Sequence, residues 1–163
     1  MQLGVADEEA MRDLGRWFAD LLRDGGFLGL VGPLGAGKTT LMQGLVGQID
    51  RGGQWQASSP TYALVNAYET SPPIFHVDLY RLEGWADLES IGYWDFLDVP
   101  GAITCVEWLD RIPGAWPRSG IIAEVRRWKS SRRVIVWTDG QWETRLSAPG
   151  QQGVSNLTER RRS

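Results

Sequence analysis

Two spacings of apolar residues run along this chain, and each change from one to the other marks the edge of a predicted element. Met11, Leu14, Phe18, Leu21 and Leu22 recur at helical spacing, which predicts an amphipathic helix from Asp7 to Arg23. Asp7 is placed to cap its start, and Gly25-Gly26 to stop it. Phe27-Leu28-Gly29-Leu30-Val31 is a short apolar run of the kind that forms a strand buried on both faces of a parallel sheet. A glycine-rich turn follows, then a predicted helix from Lys38 to about Ile49. Residues Arg51 to Pro60 are polar and turn-rich, and predict a loop. Tyr62 to Glu69 and Ile74 to Tyr80 read as strands joined around Ser71-Pro72-Pro73. Trp85 to Leu97 fits one or two short helices, and Ala102 to Val106 a further core strand. Beyond Pro117, the segments Gly120 to Arg127, Arg132 to Thr138 and Trp142 to Leu146 alternate like antiparallel strands. From Ser147 the composition turns polar and ends in Arg160-Arg161-Arg162, expected to be a frayed tail. The order β-α-β-β-α-β-β-β predicts an α/β fold: one domain over residues 1–146, a tail over 147–163, and a mixed, partly antiparallel sheet flanked by helices.

Composition narrows the function classes. A chain of 163 residues fits one domain, and 42% hydrophobic content is enough to fill its core. With 23% charged residues and nine tryptophans, intrinsic disorder is excluded. A net charge of −3 argues against a protein that holds nucleic acid by charge alone, which would need a basic excess. Cys105 is the single cysteine, so no intrachain disulfide forms, as is usual in a reducing compartment. No run of eighteen apolar residues offers a membrane span, and the acidic start MQLGVADEEA lacks the order of a signal peptide. A cytoplasmic location, away from any membrane, is the expectation.

The chemistry is concentrated in Gly32-Pro33-Leu34-Gly35-Ala36-Gly37-Lys38-Thr39, which fits G-x-x-x-x-G-K-[ST] at every fixed position. The glycines let backbone N–H groups approach phosphate oxygens, and the helix that follows adds its positive end. The lysine reaches the β- and γ-phosphates, and the threonine hydroxyl ligates magnesium. By composition alone roughly one chain of this length in 200 would carry the pattern. Here it also sits between an apolar strand and a helix, and it uses one of only two lysines in a chain with fifteen arginines. A P-loop NTPase-like domain is therefore predicted, with residues Pro33 to Thr40 (Pro33, Leu34, Gly35, Ala36, Gly37, Lys38, Thr39 and Thr40) around ATP and Mg2+. The lysine is expected on a solvent-facing loop end.

An acidic partner for the metal should stand at the end of an apolar strand near this loop. Asp78, after Ile74-Phe75-His76-Val77, and Glu107, after Ile103-Thr104-Cys105-Val106, both qualify. One would help hold the metal and the other would orient or deprotonate water. His76 and Cys105 read as packed residues, and most tryptophans as packing or surface residues rather than a base-stacking platform. No N-K-x-D for guanine occurs, and Asp98-Val99-Pro100-Gly101 reads as a turn more readily than as a GTPase switch.

Four linked motifs then resemble the TsaE (YjeE) family, the ATPase component of bacterial threonylcarbamoyl-adenosine synthesis on tRNA. They are the loop through Thr40, Ser59-Pro60-Thr61-Tyr62-Ala63-Leu64-Val65, His76-Val77-Asp78-Leu79-Tyr80-Arg81-Leu82, and Ile103-Thr104-Cys105-Val106-Glu107-Trp108. The resemblance covers about residues 7 to 108. It implies an ATPase whose partner is the TsaB–TsaD pair, which modifies adenosine 37 of tRNA, so that tRNA is met only indirectly. Hydrolysis would reset that complex between turnovers. The resemblance further implies that Thr39 and Glu107 hold magnesium, that Asp78 is an essential acid near the γ-phosphate, and that Lys38 completes the catalytic set. Ser59-Pro60-Thr61 would form a switch-like loop, with Trp108 beside the site. A nucleotide contact from Arg132 or Arg133 stays open. Two other readings remain: a small-molecule P-loop kinase, and a degenerate nucleotide-binding scaffold.

Overall fold

A computed structural model describes residues 1–117 and 119–138 of the chain. The expected strand at Trp142 to Leu146, the domain boundary after residue 146 and the tail from Ser147 lie outside the described residues. Among the described residues seven strands form one sheet: β1 (Gln2–Val5), β2 (Gly26–Val31), β3 (Val65–Tyr68), β4 (Ile74–Asp78), β5 (Ile103–Glu107), β6 (Ile121–Trp128) and β7 (Ser131–Thr138). Four α-helices accompany them among the described residues: α1 (Glu8–Leu21), α2 (Lys38–Ile49), α3 (Trp85–Ser90) and α4 (Tyr93–Leu97). The spatial order is β1-β7-β6-β2-β5-β4-β3. Strands β6, β2, β5 and β4 are mutually parallel, while β3 on one side and β7 and β1 on the other are antiparallel additions.

Period-two burial separates the two faces of the sheet. Leu28, Leu30, Ile74, Ile103, Cys105, Ile121, Ala123, Val125, Val134 and Val136 join the core under α1 and α2. Phe27, Val77 and Val106 face the other way, with Leu88 of α3, Tyr93 of α4 and Leu109. All five predicted stripe residues, four in α1 and Leu22 at its C-cap, are buried, each gaining roughly 1.5–3 kcal/mol on transfer from water. The Asp7 side chain accepts from the Ala10 N–H at 2.9 Å, the cap expected from sequence. The helix stops at Leu21, two residues before Arg23, because the chain turns through Gly25 at φ +91°. Helices α1 and α2 cross closely through two glycines. A Cβ on Gly15 would stand 2.0 Å from the Leu41 carbonyl oxygen, and one on Gly44 2.0 Å from the Arg12 carbonyl oxygen. That crossing fixes the start of α2, and with it the loop that precedes it.

Three sequence expectations need correction. The first residues form β1, which adds to β7 and precedes α1, so the element order begins with one more strand than predicted. The strand expected from Tyr62 begins only at Val65, since Leu64 sits at φ +68° in a turn. Finally, β6 is antiparallel to β7 but parallel to β2, so it belongs to the parallel core. Alternation along a strand records which residues are buried, and says nothing about the direction of the neighbour.

Candidate active site

Strand β2 ends at Val31, the chain loops through Gly32 to Gly37, and α2 starts at Lys38. Gly32 lies at φ +146°, where a Cβ would also stand 2.5 Å from the Val125 carbonyl oxygen. Gly37, at φ +108°, is the N-cap of α2, so no side chain competes there for the first helical N–H groups. Inside the loop the Ala36 N–H closes a turn onto the Pro33 carbonyl at 3.1 Å. The N–H groups of Gly35 and Gly37 find no acceptor among the described residues. Unsatisfied N–H groups in a glycine loop at a helix start form a cradle for an anion. Leu34 is on the outer rim and exposed, and Thr40 is half-buried in the first turn of α2.

Lys38 is not on a solvent-facing end. It is only 4% exposed. Its Nζ donates to the carbonyls of Gly32 at 2.7 Å and Pro33 at 3.1 Å, and it lies over the Trp108 ring, 3.9 Å from the centroid. Burial pushes its pKa below the usual lysine range, with the charges of Glu107, Asp78 and Asp110 pulling it partly back. Trp108 reaches this position because it turns the chain at φ +58° directly after β5.

Asp78 and Glu107 end adjacent parallel strands and are paired in register, on the face that carries α2. Both are almost fully buried. Asp78 Oδ2 accepts from the hydroxyls of Ser59 and Thr61, each at 2.9 Å, and Oδ1 accepts from the Tyr80 N–H at 2.8 Å. The Ser59-Pro60-Thr61 loop is thereby tied to the strand end. Glu107 Oε1 lies 3.4 Å from the Thr39 Oγ1 and 2.9 Å from His76 Nε2. The Thr39 hydroxyl and the Glu107 carboxylate thus converge as two oxygen donors, the donor type that magnesium takes. No cluster of three or more His, Cys, Asp or Glu residues suited to a metal occurs among the described residues. Magnesium held together with nucleotide phosphates needs only one or two protein ligands, so this donor set fits it.

The structure thus brings Lys38, Thr39, Asp78 and Glu107 to one end of the sheet, with Trp108 against Lys38. Cys105 is buried and inert, its thiol pKa pushed up by burial. His76 is packed, as expected, yet it also bonds Glu107, and its Nδ1 lies 3.4 Å from the Tyr68 hydroxyl. Sequence reasoning missed that contact. The signal was available, since His76 precedes Asp78 by two residues and so shares its face. Arg132 donates through Nε to the Ala36 carbonyl at 3.1 Å, while Arg133 lies over the Trp128 ring at 3.5 Å. Asp98 to Gly101 precedes β5 at the opposite end of the sheet, beside a cleft of about 440 Å³, and cannot act on the loop.

A central parallel strand running into G-x-x-x-x-G-K-T and a helix, with acids at the ends of neighbouring strands, defines a P-loop NTPase-like domain. The fold agrees with a solved structure: the crystal structure of YdiB from Bacillus subtilis superposes with a TM-score of 0.70 at 19% identity, covering 98% of this chain and 95% of that one. The chain belongs to the TsaE family, whose model, described as threonylcarbamoyl adenosine biosynthesis protein TsaE, matches residues 5–135. It is 34% identical over 136 residues to the tRNA threonylcarbamoyladenosine biosynthesis protein TsaE of Haemophilus influenzae, covering 80% of this chain and 84% of that protein. The protein of the same name from Synechocystis is 39% identical over 117 residues, covering 69% and 73%. The family's field is thus the biosynthesis of threonylcarbamoyladenosine in tRNA. Among the described residues no helix is long and apolar enough to cross a membrane.

Proposed function

We propose that this protein is a magnesium-dependent ATPase that acts with the TsaB–TsaD pair in threonylcarbamoylation of adenosine 37 of tRNA, its hydrolysis resetting that complex between turnovers. The observation that carries the ATPase reading is the convergence of Lys38, Thr39, Asp78 and Glu107 on the loop between β2 and α2. The free N–H groups of Gly35 and Gly37 would bind phosphate oxygens, and Lys38 would leave its two loop carbonyls to do the same. Thr39 and Glu107 would hold the metal, whose charge neutralises that developing on the phosphates. Asp78 would orient the attacking water once Ser59 and Thr61 release it, which makes the loop a switch.

A kinase is disfavoured because no helical lid stands between α2 and β3 among the described residues. A partner is favoured by the rim. Tyr62 is 88% exposed with Arg81 5.4 Å over its ring, and Tyr80 packs tilted against Trp108 at 4.8 Å with Arg111 5.6 Å over it. Exposed aromatics interleaved with arginine are the residues that protein interfaces bury at their centres. The negative net charge agrees with indirect contact to tRNA. The test is ATPase rate with and without the TsaB–TsaD pair. A rise of about tenfold or more is expected, since closing the rim would fix water and phosphate for reaction. An unchanged rate would remove the partner from the account.

A further inference from the structure

The hairpin of β6 and β7 carries four arginines at its tip, paired in register as Arg126 with Arg133 and Arg127 with Arg132. Like charges directly opposite one another destabilise a strand pair, so each pair needs compensation. The two pairs lie on opposite faces and are treated differently. Arg126 forms an ion pair with Glu124, and Arg133 lies over Trp128. Arg127 and Arg132, on the face of α2, have no carboxylate within ion-pair distance among the described residues. They donate instead to the phosphate loop: Arg127 Nη2 to the Leu34 carbonyl at 2.9 Å, and Arg132 Nε to the Ala36 carbonyl at 3.1 Å.

We infer that Arg127 and Arg132 are positioning residues for the phosphate cradle, holding two of its peptide planes and supplying unneutralised positive charge for a polyphosphate ligand. This rests on the nucleotide-binding reading of the loop. In a trans peptide the C=O of one residue and the N–H of the next point in opposite directions. Drawing the Leu34 carbonyl toward the hairpin therefore turns the Gly35 N–H away from it. Drawing the Ala36 carbonyl likewise turns the Gly37 N–H away. Among the described residues, both are loop N–H groups without an acceptor, as is the Leu34 N–H. The arginines reach the loop at close quarters, for a Cβ on Gly35 would stand 3.2 Å from Arg127 Nη2. A phosphate bound on the far side of the loop meets donors already aimed, and it relieves the repulsion between the two guanidinium groups.

The experiment compares the parent protein with Arg127→Ala, Arg132→Ala and the double variant. Calorimetry measures binding of magnesium ATP and of inorganic tripolyphosphate, and a thermal melt of the ligand-free protein runs alongside. Each single variant is expected to weaken both ligands about tenfold, equivalent to about 1.4 kcal/mol. The ligand-free melting temperature should hold or rise, because one of two facing like charges is gone. A double variant that binds tripolyphosphate within twofold of the parent overturns the inference, as does an affinity loss that merely tracks a fall in melting temperature. A parent that binds neither ligand refutes the nucleotide reading itself. Should an alanine variant fail to fold, the lysine pair (Arg127→Lys with Arg132→Lys) decides. Lysine keeps the charge but not the guanidinium reach, so reduced affinity is expected, and parental affinity would leave the arginines a structural role only.

Discussion

Replacing Asp78 by alanine removes one carboxylate that accepts from three donors, of which the Ser59 and Thr61 hydroxyls, 2.8 Å apart, can still bond one another. Both hydroxyls lose this acceptor, and so does the Tyr80 N–H. Hydrogen bonds to a charged group are each worth about 1.5–3 kcal/mol, and the low end applies because Ser59 is exposed and can turn to water. Three such bonds total roughly 4–5 kcal/mol before offsets. Removing the charge beside Glu107 on the neighbouring strand returns up to about 1 kcal/mol. A net loss of about 3 kcal/mol is expected, read as a lower urea midpoint at constant slope. The assignment of that loss to the loop tether is tested by a cycle. Ser59→Ala should cost about 1–1.5 kcal/mol in the parent and almost nothing in the Asp78→Ala background. Limited proteolysis should cut within residues 56–64 faster in Asp78→Ala. An Asp78→Ala protein as stable as the parent, or a Ser59→Ala cost that is the same in both backgrounds, would refute the tether.

Further outcomes follow from the same geometry. Asp78→Asn keeps the side-chain shape and should cut turnover while sparing ATP affinity, whereas Glu107→Ala should raise the magnesium concentration needed for half-maximal rate; identical magnesium titrations for both variants would abolish this division of roles. Gly44→Ala drives a Cβ into the Arg12 backbone and should cost about 3 kcal/mol or more, while Gly47→Ala, with nothing within 4 Å, should stabilise by about 0.5–1 kcal/mol; paired thermal melts check the contrast. Burial lowers the pKa of free Lys38, and a bound phosphate favours its charged form, so ATP binding takes up a proton above that pKa. Affinity should therefore decline with rising pH at a value below the ordinary lysine 10.5, and Lys38→Arg should lack this limb in an ATP titration across pH.

What was legible in the sequence had local causes. The stripe Met11 to Leu22 and its Asp7 cap needed only helical periodicity and one side-chain oxygen. The loop from Gly32 to Thr39 is a contiguous motif of the residue types that a phosphate-binding loop requires. Asp78 and Glu107 were recognisable because each closes an apolar strand. Features that depend on distant pairing were not. Strand β1 is four residues long and is held by β7, some 130 positions away, so no local pattern announced it. The burial of Lys38 requires Trp108, seventy residues on, to fold over it. The contact of Arg127 and Arg132 with the loop needs β6 to lie beside β2, a neighbour relation that alternation cannot encode.

The most direct test of the central claim is ATP turnover by the parent protein and by Lys38→Ala, each with the TsaB–TsaD pair and magnesium, alongside circular dichroism. On the proposed reading the buried lysine would supply a point charge to the phosphates, and its removal should leave the sheet and both core clusters in place, since Lys38 belongs to neither. Folded Lys38→Ala protein with turnover reduced about a hundredfold or more is the predicted result. Folded Lys38→Ala protein that hydrolyses ATP at the parental rate would contradict the account.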